Sequence, residues 1–373
     1  MSRPRRPALR GLATRALGAL IGAALAGAIV VAMQVPLLHQ RARATLTLAH
    51  LPTVGATPAL AWPPAGSAAV LIPGDGVAVA SSDAVLPVAS LTKMMTAYVA
   101  LQRLPLAGDA AGPCVTVTAS DVADYRHDVA TGQSTALVSA GEVLCEHDLL
   151  AGLLVHSAND YAMILARLAS GSVGDLVAQM NDAARRLGLR HTHYVEPSGY
   201  DPGSVSTAME QGRLAVDLMA SPLARALVRQ TSVTLPVAGT LTTFTPDVGV
   251  DNVIGVKSGR TEAAGGCDVM AMTYPQGPAT KVIYSVVLGQ RGGDLLGPAG
   301  AAALALAQSA RANLVHLVFA RGTPVGRVGW AGSSTPVTLR ASHDVWWWAP
   351  GGPPAVSIHV GAITSRVRSG QVV

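Results

Sequence analysis

The sequence predicts a mixed α+β (α/β) domain, an antiparallel sheet flanked by helices, with an apolar helix ahead of it and a small β-rich segment behind. Two observations carry the fold class. The β-prone runs "NVIGVKSG" (252–259), "GCDVMAMTY" (266–274) and "KVIYSVVLGQ" (281–290) follow one another like strands joined by short connections. Apolar residues recur at helical spacing over about 91–103, 147–169, 175–187 and 206–220, and the run "GPAGAAALALAQSARANLV" (297–315) reads as a long helix behind the strands. Helices and antiparallel strands in one body define the class. Half of the 373 residues are apolar, enough for one large domain with a full core.

The N-terminus is read first as charge. Arg3, Arg5, Arg6, Arg10 and Arg15 account for the whole net charge of +5, and no acidic residue precedes Asp75. The rest of the chain is neutral, so the excess is no basis for nucleic-acid binding. Residues 1–15 are expected to be a cytoplasmic basic segment. The uncharged run "ALGALIGAALAGAIVVAM" and its continuation, residues 16–38, are long enough for a single transmembrane anchor. Arginines before it and only Arg41 and Arg43 just after it orient the N-terminus to the cytoplasm and the remainder outside. A cleaved signal peptide is the rival reading, because Ala26–Ala28 ("AGA") has the form of a cleavage site; the protein would then be secreted.

Residues 39–65, rich in Pro, Thr, Ala and Gly, read as a tether. The main domain is expected over 66–318, opening with a hairpin, "AAVLIPGDGVAVASS", that turns at "PGDG". Thr207 and Glu210 have capping-box spacing for the helix at 206–220. Beyond, residues 319–373 carry short alternating segments with Gly and Pro, including "DVWWWAP", and are expected to form a small β appendage. Its tryptophans Trp346–Trp348 would point to alternating faces of a strand.

Three cysteines fit an extracytoplasmic protein without a disulfide framework. Cys114 opens one strand-like run, "CVTVTASD", and Cys145 closes another, "ALVSAGEVLC". Antiparallel pairing would bring these two thiols to the same end; the other reading is three buried free thiols.

The chain holds 24 arginines and three lysines, and two of the lysines stand in chemically informative places. Ser90 precedes the helical run and Lys93 follows one turn on, where side chains at i and i+3 meet. A serine hydroxyl is a poor nucleophile until a base takes its proton. A lysine whose pKa is lowered can act as that base, whereas arginine cannot deprotonate in a protein. Ser157 and Asn159 lie in "SAN", a polar triplet inside an apolar helical pattern; alone it would read as a satisfied kink. Lys257, Ser258 and Gly259 end an apolar strand, a cation beside a hydroxyl suited to a carboxylate and a glycine that permits close backbone approach. The third, Lys281, opens a strand and is expected to be solvated. His191 and His193 in "HTH" lack further ligands for zinc, so no metal or other cofactor is expected.

Together SxxK at 90–93, SxN at 157–159 and KSG at 257–259, in that order, resemble the penicillin-binding protein and serine β-lactamase superfamily. The stretches "VASLTKMMTAYVAL", "LLVHSAND" and "RRLGLRHTHYVEPSGY" look like its D-alanyl-D-alanine carboxypeptidase branch, over about residues 65 to 290. Ser258 departs from the pattern, which usually has threonine there.

The resemblance implies a DD-peptidase/β-lactamase-like fold and hydrolysis of peptidoglycan stem peptides ending in D-Ala-D-Ala, with β-lactam antibiotics as inhibitors. It implies Ser90 as nucleophile, Lys93 as its base, Ser157 as proton relay and Asn159 as the group that orients Lys93 and the substrate amide. Lys257 and Ser258 would hold the terminal carboxylate, with Lys257 keeping Lys93 partly neutral by repulsion. The backbone N–H groups of Ser90 and Arg260 would form the oxyanion hole. A β-lactamase and an endopeptidase are alternatives within the superfamily, and a non-catalytic penicillin-binding sensor is the alternative outside enzymology. Glu210 is read as a helix cap rather than as a glutamate that activates water for deacylation.

Overall fold

In the computed structural model the described residues are 45–48, 60–108, 110–276, 279–314, 316–329, 337–342 and 345–347. The basic segment 1–15 and the expected anchor 16–38 lie outside them. The chain divides into a larger unit, Thr53–Leu317 with Trp346–Pro353, and a smaller one that takes Val318–Val345 together with segments from both ends of the chain. The first described strand, β1 (Thr45–Leu48), corrects the tether reading for that stretch. It belongs to the smaller unit, where it pairs antiparallel with β14 below.

The larger unit begins with β2 (Ser67–Ile72) and β3 (Val77–Ala80), the expected hairpin, turning through a 3-10 turn at Pro73–Asp75 and Gly76 in the left-handed region. After a two-residue strand β4 (Leu86–Pro87) come α1 (Thr92–Arg103), β5 (Cys114–Thr116), α2 (Ala119–Ala130) and β6 (Val143–Cys145). The run from Cys114 does not stay extended through Asp121. Thr118 and Asp121 form a reciprocal capping box that starts α2, a helix the alternating pattern concealed. β5 and β6 pair antiparallel with Cys114 directly opposite Cys145, and the two form a disulfide, their Cα atoms 3.9 Å apart. Cys267 is a buried free thiol.

The pattern at 147–169 is two helices, α3 (Glu146–Leu154) and α4 (Asn159–Ser170). They are separated by a break in which Ser157 adopts φ 65°. Periodicity runs through this break because both helices bury the same kind of residue. α5 (Val173–Arg186), β7 (Val205–Ser206), α6 (Ala208–Leu218), α7 (Pro222–Val228), β8 (Ser232–Leu235) and β9 (Gly239–Thr242) follow. β10 (Val253–Thr261), β11 (Gly265–Gln276) and β12 (Ala279–Gln290) are the three predicted strands, and α8 (Leu296–Leu314) is the predicted long helix. The remaining described strands are β13 (His316–Phe319), β14 (Pro324–Gly329), β15 (Val337–Arg340) and β16 (Val345–Trp347). β1, β14 and β15 form a three-stranded sheet, and β13 pairs with β16.

The central sheet has the order β10-β11-β12-β2-β3, antiparallel throughout. Strand β2 shows why its sequence is apolar without a break from Ala68 to Ile72. Ala68, Val70 and Ile72 face one cluster with Ala299, Ala303, Leu306 and Ala310 of α8, while Ala69 and Leu71 face the other with Met94, Met95 and Leu214 of the helical layer. Successive side chains alternate, so a strand covered on both sides is apolar at every position. The alanine stripe at 299, 303, 307 and 310 recurs at helical spacing and lies entirely buried on the sheet. Lys281 is not simply solvated: its Nζ donates to Asp75 Oδ1 at 2.9 Å, tying β12 to the β2–β3 turn.

Candidate active site

Ser90 stands at the entrance to α1 in a 3-10 turn, Ala89–Leu91, that feeds directly into the helix. Ala89 is held at φ 48°, in the left-handed region. Gly199 packs against it so closely that a Cβ there would lie 1.8 Å from the Ala89 carbonyl oxygen. On the other side a Cβ on Gly259 would lie 2.6 Å from the Ser90 backbone nitrogen. Glycine in KSG is thus required by the nucleophile's own backbone, which β10 approaches edge-on.

Lys93, the second residue of α1 and one turn on from Ser90, is fully buried. Its Nζ contacts Ser90 Oγ at 3.0 Å, Asn159 Oδ1 at 2.6 Å and the carbonyl oxygen of Ser198 at 2.8 Å. Burial away from water lowers its pKa from 10.5 to about 7, against the pull of Glu196, Asp160 and Asp128, whose negative charge favours the ammonium. A lysine here can be held neutral by burial or by another cation, and the resemblance implies Lys257 as that cation; burial leads, and Lys257 is itself pushed well down, first by burial and then by the charge of Lys93.

Asn159 begins α4, with its backbone N–H bonded to Ser134 O at 2.8 Å. Ser157, in the left-handed break just before, is buried. Lys257 and Gly259 share one face of β10 and Ser258 takes the other, as the pleat demands. Lys257 Nζ donates to the Ser258 carbonyl at 2.8 Å, and the Ser258 hydroxyl donates to the Phe244 carbonyl at 2.8 Å. Arg260 is exposed and its Nη1 donates to Asp294 O at 3.1 Å. On the neighbouring strand, Asp268 is paired in register with Ser258 and fully buried, and burial pushes its carboxyl well above the usual carboxylate range.

Hydrogen bonds therefore join Ser90, Lys93 and Asn159, and Gly259 meets Ser90 through the backbone. Several contributors carried no signal in the sequence. A main-chain oxygen such as that of Ser198 has no residue signature, and Gln133, which bonds Asn159, stands in an unremarked turn. Glu196 could have been found in "EPSGY"; its carboxylate accepts the Ser198 and Gly199 N–H groups. Glu210 does not close a capping box. Its backbone N–H takes the Thr207 cap, while its carboxylate accepts from His191 and Thr192, which leaves it committed to that turn.

The family profile described as D-alanyl-D-alanine carboxypeptidase matches residues 67–292. A D-alanyl-D-alanine endopeptidase of Pseudomonas aeruginosa is 31% identical over 211 residues, 54% of this chain and 64% of that one. The carboxypeptidase DacC of Escherichia coli is 33% identical over 147 residues, 39% of this chain and 36% of that one. The chain thus spans less than two thirds of the length of either relative. Among solved structures, the Streptomyces K15 DD-transpeptidase superposes with a TM-score of 0.59 at 25% identity, over 69% of this chain and 99% of that one. The profile runs from the first strand of the central sheet to just past the last and takes in Ser90, Lys93, Asn159 and Lys257, so the chain belongs to the D-alanyl-D-alanine carboxypeptidase family.

Proposed function

We propose that the protein is a serine-type D-Ala-D-Ala carboxypeptidase that removes the terminal D-Ala from peptidoglycan stem pentapeptides through an acyl-enzyme on Ser90. The observation that carries this reading is the hydrogen-bonding of Lys93. A neutral lysine amine has two N–H groups and one lone pair. Asn159 Oδ1 and Ser198 O can only accept, so they take both N–H groups and leave the lone pair aimed at Ser90 Oγ, 3.0 Å away. Burial keeps that amine available near neutral pH.

On this reading Lys93 takes the Ser90 proton as Oγ bonds to the carbonyl carbon of the penultimate D-Ala. The resulting ammonium is stabilised by Glu196, Asp160 and Asp128. Ser157 passes the proton to the nitrogen of the departing D-Ala as the C–N bond breaks. Water then attacks the ester, Lys93 takes its proton, and Ser90 Oγ leaves with that proton restored. The Ser90 and Arg260 N–H groups would receive the developing oxyanion, supported by the edge-on approach of β10 to Ser90 N. Lys257 would draw the terminal carboxylate. Ser258 would join it by turning its hydroxyl away from the Phe244 carbonyl.

A second reading, DD-endopeptidase action on cross-links, is favoured by one observation. The two curated relatives aligned over 211 and 217 residues are both endopeptidases. A β-lactamase reading lacks support from Glu210, whose carboxylate is engaged elsewhere. We also propose that residues 16–38 anchor the chain in the cell membrane with the peptidase domain outside the cytoplasm, a placement that suits the Cys114–Cys145 disulfide.

Intact-mass spectrometry after incubation with penicillin tests the enzymatic reading. A covalent adduct on the wild type that is absent from Ser90→Ala is expected. A wild type that gains no adduct would overturn it in favour of a non-catalytic protein. Product analysis on a defined pentapeptide and on a cross-linked dimer separates carboxypeptidase from endopeptidase.

A further inference from the structure

Asn159 is held at both ends of its amide. Oδ1 accepts from Lys93 Nζ at 2.6 Å, and Nδ2 donates to Gln133 Oε1 at 2.5 Å. Gln133 is half-buried in the turn after α2, where its backbone N–H donates to Asp128 O at 2.9 Å. Its Nε2 donates to Thr131 Oγ1 at 3.0 Å, and the Thr131 hydroxyl donates in turn to the carbonyls of His127 at 3.0 Å and Asp128 at 3.2 Å. The same turn is clamped to α4 by Asn159 N–H to Ser134 O at 2.8 Å and by Ala136 N–H to Asp160 Oδ1 at 3.1 Å.

The direction of this chain matters because a carboxamide turned by half a revolution keeps its shape and exchanges acceptor for donor. With its oxygen toward Lys93, Asn159 takes an N–H and leaves the amine lone pair for Ser90. Turned round, it would present N–H groups to Nζ, repelling the ammonium or capturing the lone pair of the amine. A main-chain carbonyl cannot reverse. The carbonyls at 127 and 128 therefore make Thr131 an acceptor toward Gln133, and this points Gln133 Oε1 at Asn159.

We propose that Gln133 is a positioning residue that keys the Asn159 amide, so that its oxygen and not its nitrogen faces Lys93. This rests on the reading of Lys93 as the base for Ser90. The charged groups acting on Lys93 are Glu196 from the 195–200 loop, Asp160 from α4 and Asp128 from α2, and across from it Lys257 of β10 is coupled to it. All are unchanged in the variants below.

The test compares Gln133→Met, of similar length with only a weak thioether acceptor, and Gln133→Glu, which keeps the acceptor and adds a charge. The readout is the rate of Ser90 acylation by a fluorescent penicillin between pH 5 and 9, with melting temperatures alongside. Gln133→Met is expected to acylate about 10–100-fold more slowly, as for a lost hydrogen bond in a charged network. Gln133→Glu should return to within about threefold of wild type on the high-pH plateau. Its acid limb should move to higher pH, because an added anion favours the Lys93 ammonium. A Gln133→Met protein with wild-type rates overturns the proposal. So does a Gln133→Glu protein that falls as far as Gln133→Met with an unmoved limb, which would mark a packing role. A wild type that takes no label at all removes the Ser90 reading instead.

Discussion

Replacing Lys93 by arginine keeps the positive charge and removes the capacity to lose a proton. Burial takes Lys93 from 10.5 to about 7, so near neutrality about half the molecules hold a neutral amine. For a solvated lysine at pH 7 that fraction would be about one in 3,000, so the fold enriches the base form about 10³-fold, equivalent to about 4–5 kcal/mol. A guanidinium, protonated up to about pH 12 or beyond, would be neutral in about one molecule in 10⁵ at pH 7. Acylation by a fluorescent penicillin should therefore fall by about 10⁴-fold or more, with the residual rate set by whatever water can do in place of the amine. The wild-type pH profile checks the same reasoning without any mutation. On the proposed role of Lys93, in which the neutral amine is the active form, the rate should rise tenfold per pH unit below about 7 and level above it. A folded Lys93→Arg protein that labels within tenfold of wild type would refute this account. So would a wild-type rate that is flat from pH 5 to 8.

Three further outcomes follow from the same geometry. Glu196→Gln removes the largest of the carboxylate effects that favour the Lys93 ammonium, so the acid limb of acylation should shift to lower pH; a limb that climbs would show the sign to be wrong. Gly259→Ala would place a methyl group 2.6 Å from Ser90 N and should cut acylation about 100-fold, the scale of losing one oxyanion donor, a loss that labelling kinetics on protein of near-native melting temperature would register. Reducing the Cys114–Cys145 disulfide frees a loop of sequence separation 31 and should cost about 3–4 kcal/mol, measured by denaturant unfolding with and without reductant, with two alkylatable thiols gained.

The elements legible in the sequence were those whose signal is local. Strands β10, β11 and β12 and helix α8 announced themselves by apolar pattern, and "PGDG" by turn chemistry. Where two helices shared one periodicity, as at 147–169, the break was invisible, because a left-handed residue at Ser157 leaves no mark on hydrophobic spacing. Likewise α2 hid behind an alternating approach until the Thr118–Asp121 cap was seen to close.

The candidate residues are legible without coordinates: a serine and a lysine one turn apart, an SxN, and a KSG in a chain that otherwise uses arginine. Those are facts of side-chain type and of spacing within a single helix or strand, and they survive without coordinates. The protonation and hydrogen bonding of those residues are set by what the fold packs around them. The acceptors that aim the Lys93 amine come from 66 and 105 residues away, and one of them is a main-chain oxygen. Its pKa is set by the water that folding excludes, which no short segment contains. The chain from Thr131 through Gln133 to Asn159 likewise exists only after α4 and the turn following α2 have packed together. Side-chain identity is local, whereas solvation and hydrogen-bond direction belong to the assembled fold.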